Sequence, residues 1–401
     1  MRESGDAGTC AFVGVLGGAQ VAAVDGRGLV APERAGWRLG WWIGADDRWH
    51  VAEREAAVRQ TRVGNMPVIR TAMRVPGGDA VQHVYGAGDV AVVEISNESP
   101  APFVVALVVG GAARVALEDR VLVVDGRAAV ITPRGPSRWS VDTDGSTERV
   151  VTSGQASEGS FPPRSDRAAR LTAAFLYPVA HRTTFRAAVG LAPGGLTDVG
   201  LDVATLPDAD ATARGWVAQL DRGMRVTLPD PVLQDAVDAA RAELLLAGQA
   251  WMPQPEVVTA LEDWGFDAET AGAWPRLPGR TRRRLGRRTA RPPDWADIER
   301  HTASGGAPLL LSLRAALVED AGPEIRLAPA WPKAWEGLPA DVRDAPTRLG
   351  PVSYSVRWHG ERPALLWEAP PNARLTAPGL DPTWSTDAPA GEALLGAGDD
   401  T

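Results

Sequence analysis

From residue 11 to about 205 the chain is a succession of short β-type runs, broken every few residues by Gly, Pro, Asn or Asp. That rhythm admits strands and leaves little room for helices. The runs 120–124 and 127–131 flank Asp125-Gly126, the two-residue signal for a type I′ hairpin turn. The runs 90–95 and 103–109 flank Ser96-Asn-Glu-Ser-Pro-Ala-Pro102, whose turn formers predict another hairpin. Residues 182–191 read as one of the last strands of the series. Many short strands at this spacing predict an N-terminal β-sandwich of ~200 residues.

Around residue 206 the pattern changes. Pro229-Asp230-Pro231 opens a helix, with Asp230 as N-cap and Pro231 in the first turn. Val232, Leu233, Ala236, Val237, Ala240, Leu244 and Ala247 then recur on one helical face. Further helices are predicted over 255–264, 267–274, 294–303 and 308–319. After Gly322-Pro323 strands return over 324–327, 352–358 and 364–368, and the middle one alternates cleanly. The expectation is an α+β multidomain chain in the order β, α, β. Its parts are a β-sandwich over 1–205, a short helical domain over 206–322 and a C-terminal antiparallel β part over 323–384. Residues 385–401 carry four acids and no base, and are expected to be a disordered acidic tail.

Composition narrows the function. A balance of 42 Lys+Arg against 50 Asp+Glu, net −8, argues against a whole-molecule binder of polyanions. Cys10 is the only cysteine, so neither an intrachain disulfide nor a Cys-rich zinc site can form. Lys333 is the only lysine, which removes a Walker-type phosphate loop. The most apolar run, 103–109, is far short of the ~20 residues that span a bilayer. The first residues carry acids before a short apolar stretch, unlike a signal peptide, so a cytoplasmic location is expected. His50, His83, His181, His301 and His359 are far apart and show no metal-ligand spacing, so neither a metal nor a cofactor is expected.

Fifteen tryptophans are more suggestive. Indole faces stack on the C–H faces of sugar rings while carboxylates and Arg take the hydroxyls. Trp37, Trp41, Trp42 and Trp49 crowd around Asp46-Asp47-Arg48, so Trp41, Trp42, Asp46, Asp47 and Trp49 are candidate sugar-binding residues. The competing reading is that alternating aromatics of a sandwich face its core, and Trp331 and Trp335 carry the same ambiguity. Glycoside hydrolysis needs two carboxyl groups across one bond, one of them protonated. Among the acids of the helical third, Glu262-Asp263-Trp264 sets carboxyls beside an aromatic that could desolvate them. Glu262, Asp263 and Asp294 are the candidate catalytic residues, against the plainer reading of solvated helix acids. The segment 276–291 holds eight arginines and no acid, a block for phosphate or a protein partner, or else a solvated connection. It contains no aromatic to stack bases, which speaks against nucleic-acid recognition.

The C-terminal phrases Ile325-Arg-Leu-Ala-Pro-Ala-Trp-Pro-Lys-Ala-Trp335 and Ala345-Pro-Thr-Arg-Leu-Gly-Pro-Val-Ser-Tyr-Ser-Val-Arg-Trp358 resemble the segment that closes many six-hairpin glycosidases. Arg225-Val-Thr-Leu-Pro-Asp-Pro-Val-Leu-Gln234 is similar to the start of their α/α barrel. This family includes bacterial α-L-rhamnosidases, glucoamylase-like hydrolases, debranching enzymes and disaccharide phosphorylases, with β-sandwich parts on both sides of the barrel. A full barrel of twelve helices takes roughly 300 residues, whereas residues 226–321 supply 96. The resemblance therefore implies a partial barrel over 206–322. It points to a glycosidase-like chain that is catalytically degenerate and at most binds carbohydrate or acts as a scaffold. The alternatives are an active glycoside hydrolase working through acid/base carboxylates, and an Arg-rich segment that binds nucleic acid or a protein. Helix faces left open by a partial ring predict a homodimer or a protein partner.

Overall fold

The computed structural model describes residues 10–18, 20–162, 164–165 (backbone only), 170–248, 253–281 and 295–396. The chain is mixed α/β, mostly antiparallel sheet, and divides into two compact units, Met1–Gly215 and Trp216–Thr401. The division falls inside helix α2 (Ala209–Leu220), ten residues beyond the change of pattern expected at 205.

In the first unit one sheet runs in the order β1 (Ala11–Gly14), β2 (Val21–Val24), β3 (Val30–Pro32), β4 (Arg38–Gly44), β10 (Phe103–Ala112), β16 (Leu171–Val179), β14 (Arg138–Asp142), with β5 (Trp49–Val51) also on β4. The other runs β15 (Arg164–Ser165), β11 (Arg114–Glu118), β12 (Val121–Val124), β13 (Arg127–Ile131), β17 (Thr184–Gly190), β9 (Val90–Asn97), β8 (Gly78–Ala87), β7 (Val68–Val75), β6 (Arg59–Arg62). Leu39, Trp41 and Ile43 of β4 and Val105, Leu107 and Val109 of β10 share one buried core with Ile69, Met73, Val84, Val93 and Val189 of the second sheet. Burying each Val or Leu is worth about 1.5–3 kcal/mol, so this face holds the unit together. The outward face of β10 is buried too. Ala106 and Val108 pack with Trp42, Val51, Val151 and Leu176, beside the short helix α1 (Thr147–Thr152). With both faces covered, residues 103–109 read as one apolar run instead of alternating.

The Asp125-Gly126 hairpin forms as expected between β12 and β13, with φ of 52° and 80° at the two turn residues. The other expected hairpin does not. β9 pairs with β8 and β17, whereas β10 pairs with β4 and β16, so residues 98–102 cross from one sheet to the other. Asn97 anchors that crossing: its side-chain amide donates to Ala101 O at 2.9 Å and Ala180 O at 3.2 Å, and its Oδ1 accepts from Ser99. Turn formers mark a change of direction but do not choose between a hairpin and a corner. At Gly86 of β8 the backbone of β1 packs directly against the second sheet: a Cβ there would lie 2.1 Å from Gly14 O.

The second unit contains α3 (Pro231–Ala247), α4 (Pro255–Asp263), α5 (Asp267–Ala273), α6 (Trp295–Thr302) and α7 (Gly306–Leu317), within two residues of the predicted spans. Asp230 caps α3, accepting from Val232 N and Leu233 N at 2.9 and 3.1 Å. Helices α3, α4 and α6 pack against α7, whose Leu309, Leu310, Leu313, Ala316 and Leu317 are fully buried. A third sheet follows the order β18 (Arg225–Thr227), β21 (Ala340–Ala345), β22 (Val352–His359), β23 (Arg362–Glu368), β26 (Ala390–Leu394). A fourth follows β19 (Val318–Ala321), β20 (Glu324–Leu327), β24 (Arg374–Ala377), β25 (Asp381–Thr386), with β20 and β24 parallel. Tyr354 of β22 donates to Leu317 O at 2.8 Å and so joins the third sheet to the end of α7.

The expected disordered acidic tail needs correcting. Residues 390–394 pair along β23, Leu395 is buried, and Trp367 packs edge-on against Trp384 at 5.2 Å. Gly391 makes room for this, since a Cβ there would lie 2.6 Å from the Trp367 ring. Glu392 sits on the edge strand β26, where charge is normal and protects against edge-to-edge pairing, and residues 397–401 lie outside the described residues.

Candidate functional site

Strand β4 and the segment after it carry the predicted sugar-binding residues, and the structure separates them. Trp41 is 1% exposed, its indole N–H donating to Arg27 O at 3.0 Å, so it belongs to the core and offers no face to a ligand. Trp42 points to the opposite face but is 5% exposed beneath Val51 and Val151, so it too is no open platform. Successive strand residues alternate faces, and here both faces are buried. Trp49 is half-buried and lies over Gly44, where a Cβ would be 2.9 Å from its ring. Asp46 is exposed.

Asp47 instead joins a cluster that the sequence did not reveal. His50 has a side chain 4% exposed and is held between two acids, with Asp47 Oδ1 3.0 Å from Nε2 and Glu55 Oε1 3.3 Å from Nδ1. Arg48 grips Glu55 with both terminal nitrogens, at 2.5 and 3.2 Å. The bond to His50 holds the Asp47 carboxyl below its ordinary value, and the Arg48 bond does the same for Glu55. The two acids face opposite ring nitrogens, so they clamp the imidazole and do not converge on one point. Beside this clamp, the Glu53 carboxyl turns back over Gly40, where a Cβ would lie 3.1 Å from Oε1. Desolvation there pushes its pKa up, with the Trp42 indole N–H, short of a full hydrogen bond, pulling weakly the other way. No local sequence signal marks Glu53, because Trp42 comes near it only through the fold.

Another polar row crosses the outward face of the second sheet. Arg70, His83, Glu94 and Arg186 are successive cross-strand partners. Arg186 Nε lies 3.0 Å from Glu94 Oε2, and the Tyr85 hydroxyl lies 3.0 Å from the same oxygen and 2.9 Å from Pro207 O. His83 Nδ1 is buried without a hydrogen-bond partner, and burial lowers its pKa from the ordinary 6.5, against the pull of Glu94, Asp210 and Glu98 and with the push of Arg70. The unfolded chain therefore takes up a proton at His83 before the folded one does, and stability is lost as pH falls through the ordinary value towards the lowered one. The stability difference between wild type and His83→Gln should thus shift against wild type between pH 7.5 and pH 5, measured by urea denaturation. A difference independent of pH rules this out.

In the helical region, Glu262 is exposed and Asp263 half-buried at the end of α4, and Asp294 lies outside the described residues. Trp264, next to them, is fully buried; its N–H donates to Leu310 O at 3.0 Å, and the Arg241 guanidinium stands 5.7 Å from its ring centre. Trp335 packs edge-on against both Trp295 and Trp331, at 4.7 and 5.3 Å, and is itself buried. Of the arginine block, residues 282–291 lie outside the described residues, while Arg276 donates to Gly248 O at 2.6 Å and Gly272 O at 3.1 Å.

An open cavity of about 230 Å³ lies between the two sheets of the first unit, lined by Trp37, Asp125, Arg127 and the backbone of the 190–195 loop. Among the described residues, no helix is long and apolar enough to cross a membrane, and no group of three His, Cys, Asp or Glu side chains is placed to hold a metal ion. Compared with known proteins, the chain matches no family model and no curated protein.

Proposed function

We propose that the chain is a glycosidase-like protein made of an N-terminal β-sandwich, a partial α/α barrel-like middle and a C-terminal β part. On this reading it has lost glycoside turnover and binds carbohydrate or acts as a scaffold. The supporting observation is the disposition of the helical acids. Glu262 and Asp263 are consecutive on one helix, so their side chains diverge by about 100° and do not face one scissile bond. Asp263 is further committed, as one of the charges opposing the buried Arg314 guanidinium, which also takes its backbone carbonyl at 3.1 Å. The expected result is no turnover of aryl rhamnosides or glucosides by purified protein. Turnover abolished by Glu262→Gln or Asp294→Asn, with the fold intact, overturns the proposal.

One observation favours the active-hydrolase reading over another part of the chain. Glu53 is an exposed residue whose carboxyl end folds back over Gly40 near Trp42, and the partial desolvation there raises its pKa, the direction a general acid needs. Hydrolysis that survives Glu262→Gln but falls on Glu53→Gln is the result that would select it. We further propose a homodimer, since Val217 and Val232 on the helices remain 46% and 68% exposed. A strictly monomeric species in light scattering at micromolar concentration overturns this.

A further inference from the structure

The cavity between the two sheets brings an aromatic side chain, a carboxylate and a guanidinium together along one open wall. Trp37 comes from the loop before β4, Asp125 from the tip of the β12–β13 hairpin, Arg127 from the first residue of β13, and Gly190, Ala192, Pro193 and Gly195 from the end of β17 and its following loop. Each wall is held by the fold independently of a ligand. Asp125 Oδ1 accepts from Ala113 N at 2.9 Å and Arg114 N at 2.8 Å, which pins the hairpin tip to β11 and leaves Oδ2 outside those bonds. Arg127 donates one Nη1 hydrogen to Pro193 O, and Leu196 N bonds Ala128 O at 2.7 Å, so the loop is tied to β13. Gly195 is required for this closeness, since a Cβ there would lie 2.4 Å from Ala128 O.

We infer that this cavity binds a single neutral polyhydroxylated ring, a monosaccharide or one terminal residue of a glycan. Size sets the first limit: about 230 Å³ is below the ~300–1,000 Å³ typical of sites for drug-sized ligands, so one ring fits and a buried chain does not. Charge sets the second. Asp125 disfavours an anion and Arg127 a cation, whereas a neutral polyol can donate to the carboxylate and accept from the guanidinium at once. Trp37, half-buried against the core, supplies an indole as an apolar wall. The inference rests on the carbohydrate reading above and places its site between the sheets of the first unit, away from the buried Trp41 and Trp42.

Isothermal titration of the full chain with D-glucose, L-rhamnose, D-glucuronate and D-glucosamine tests it, together with Trp37→Ala, Asp125→Asn and Arg127→Gln. Asn keeps the left-handed turn position that Asp125 occupies, and Arg127 is exposed, so these two variants report on the site even if Trp37→Ala loosens the core. The expected result is saturable binding of a neutral sugar, weakened about tenfold in Asp125→Asn or Arg127→Gln, with both variants still melting in one cooperative transition. Neutral-sugar binding that both variants retain overturns the cavity assignment and leaves the carbohydrate reading standing. Preferential binding of glucuronate or glucosamine overturns the choice of a neutral ring. No binding of any of the four overturns both the assignment and the carbohydrate reading.

Discussion

Replacing Arg314 with alanine is expected to destabilise the Trp216–Thr401 unit by about 3–5 kcal/mol, among the largest effects of any single substitution in the chain. Arg314 lies on α7, 7% exposed, and its guanidinium is consumed by backbone acceptors. Nε donates to Asp263 O at 3.1 Å, Nη1 to Val318 O, and Nη2 to Pro346 O at 2.5 Å. These carbonyls belong to the end of α4, the start of β19 and the loop after β21, so one side chain joins helices to both sheets of the unit. Burial pushes its pKa down, with Asp263, Tyr354 and Asp320 opposing, yet an arginine stays charged under these conditions. Truncation strands three acceptors, each worth about 1–3 kcal/mol when buried and unpaired. Arg314→Lys recovers only part of the loss, because an ammonium cannot reproduce the planar fork. Urea denaturation followed by tryptophan fluorescence measures it, and a loss below about 1 kcal/mol sinks this account.

Arg314 also shows where reading the sequence stops. Its position on an amphipathic helix is legible, but nothing local says that an arginine at an apolar face will be swallowed and satisfied by carbonyls far along the chain. The same holds for Arg241, buried with Nη2 on Leu220 O at 2.6 Å. What could be read was local: the Asp125-Gly126 turn, the Asp230 cap with Pro231, and the helices of the second unit all depend on a few neighbouring residues. Partner choice was not legible. Residues 90–97 and 103–112 look like a hairpin because the linker between them is polar and short, and only the competition of β4, β8, β16 and β17 for their edges sends them to different sheets. The sugar-binding candidates differ for a related reason: alternation places Trp41 and Trp42 on opposite faces, but it does not say that α1 and β5 cover the outer one. Glu53, His50 and Glu55 carry no local signal of their cluster, because their significance lies in what the fold brings beside them.

The second large effect separates the structural from the catalytic reading of Glu262-Asp263-Trp264. Trp264→Ala is expected to cost about 3–5 kcal/mol. The indole is fully buried, its N–H satisfies Leu310 O at 3.0 Å, and it supports the buried Arg241 guanidinium. Truncation leaves a cavity against α7, removes the second hydrogen bond on Leu310 O beside its helical one, and leaves a buried cation without its aromatic partner. Trp264→Phe keeps most of the volume and loses the N–H, so it should cost about 1–2 kcal/mol. Glu262→Gln, at an exposed position, should stay within about 0.5 kcal/mol of wild type. If the three residues served chemistry, Glu262→Gln would abolish a measurable turnover while leaving stability alone, and Trp264→Phe would fold with wild-type stability and alter the pH profile. Thermal melts of all three variants beside an aryl-glycoside assay therefore decide whether this acid-rich helix end exists to anchor Trp264 in the core or to present carboxyls to a sugar. The geometry of the indole, turned inward with both its N–H and its ring occupied, favours the anchor.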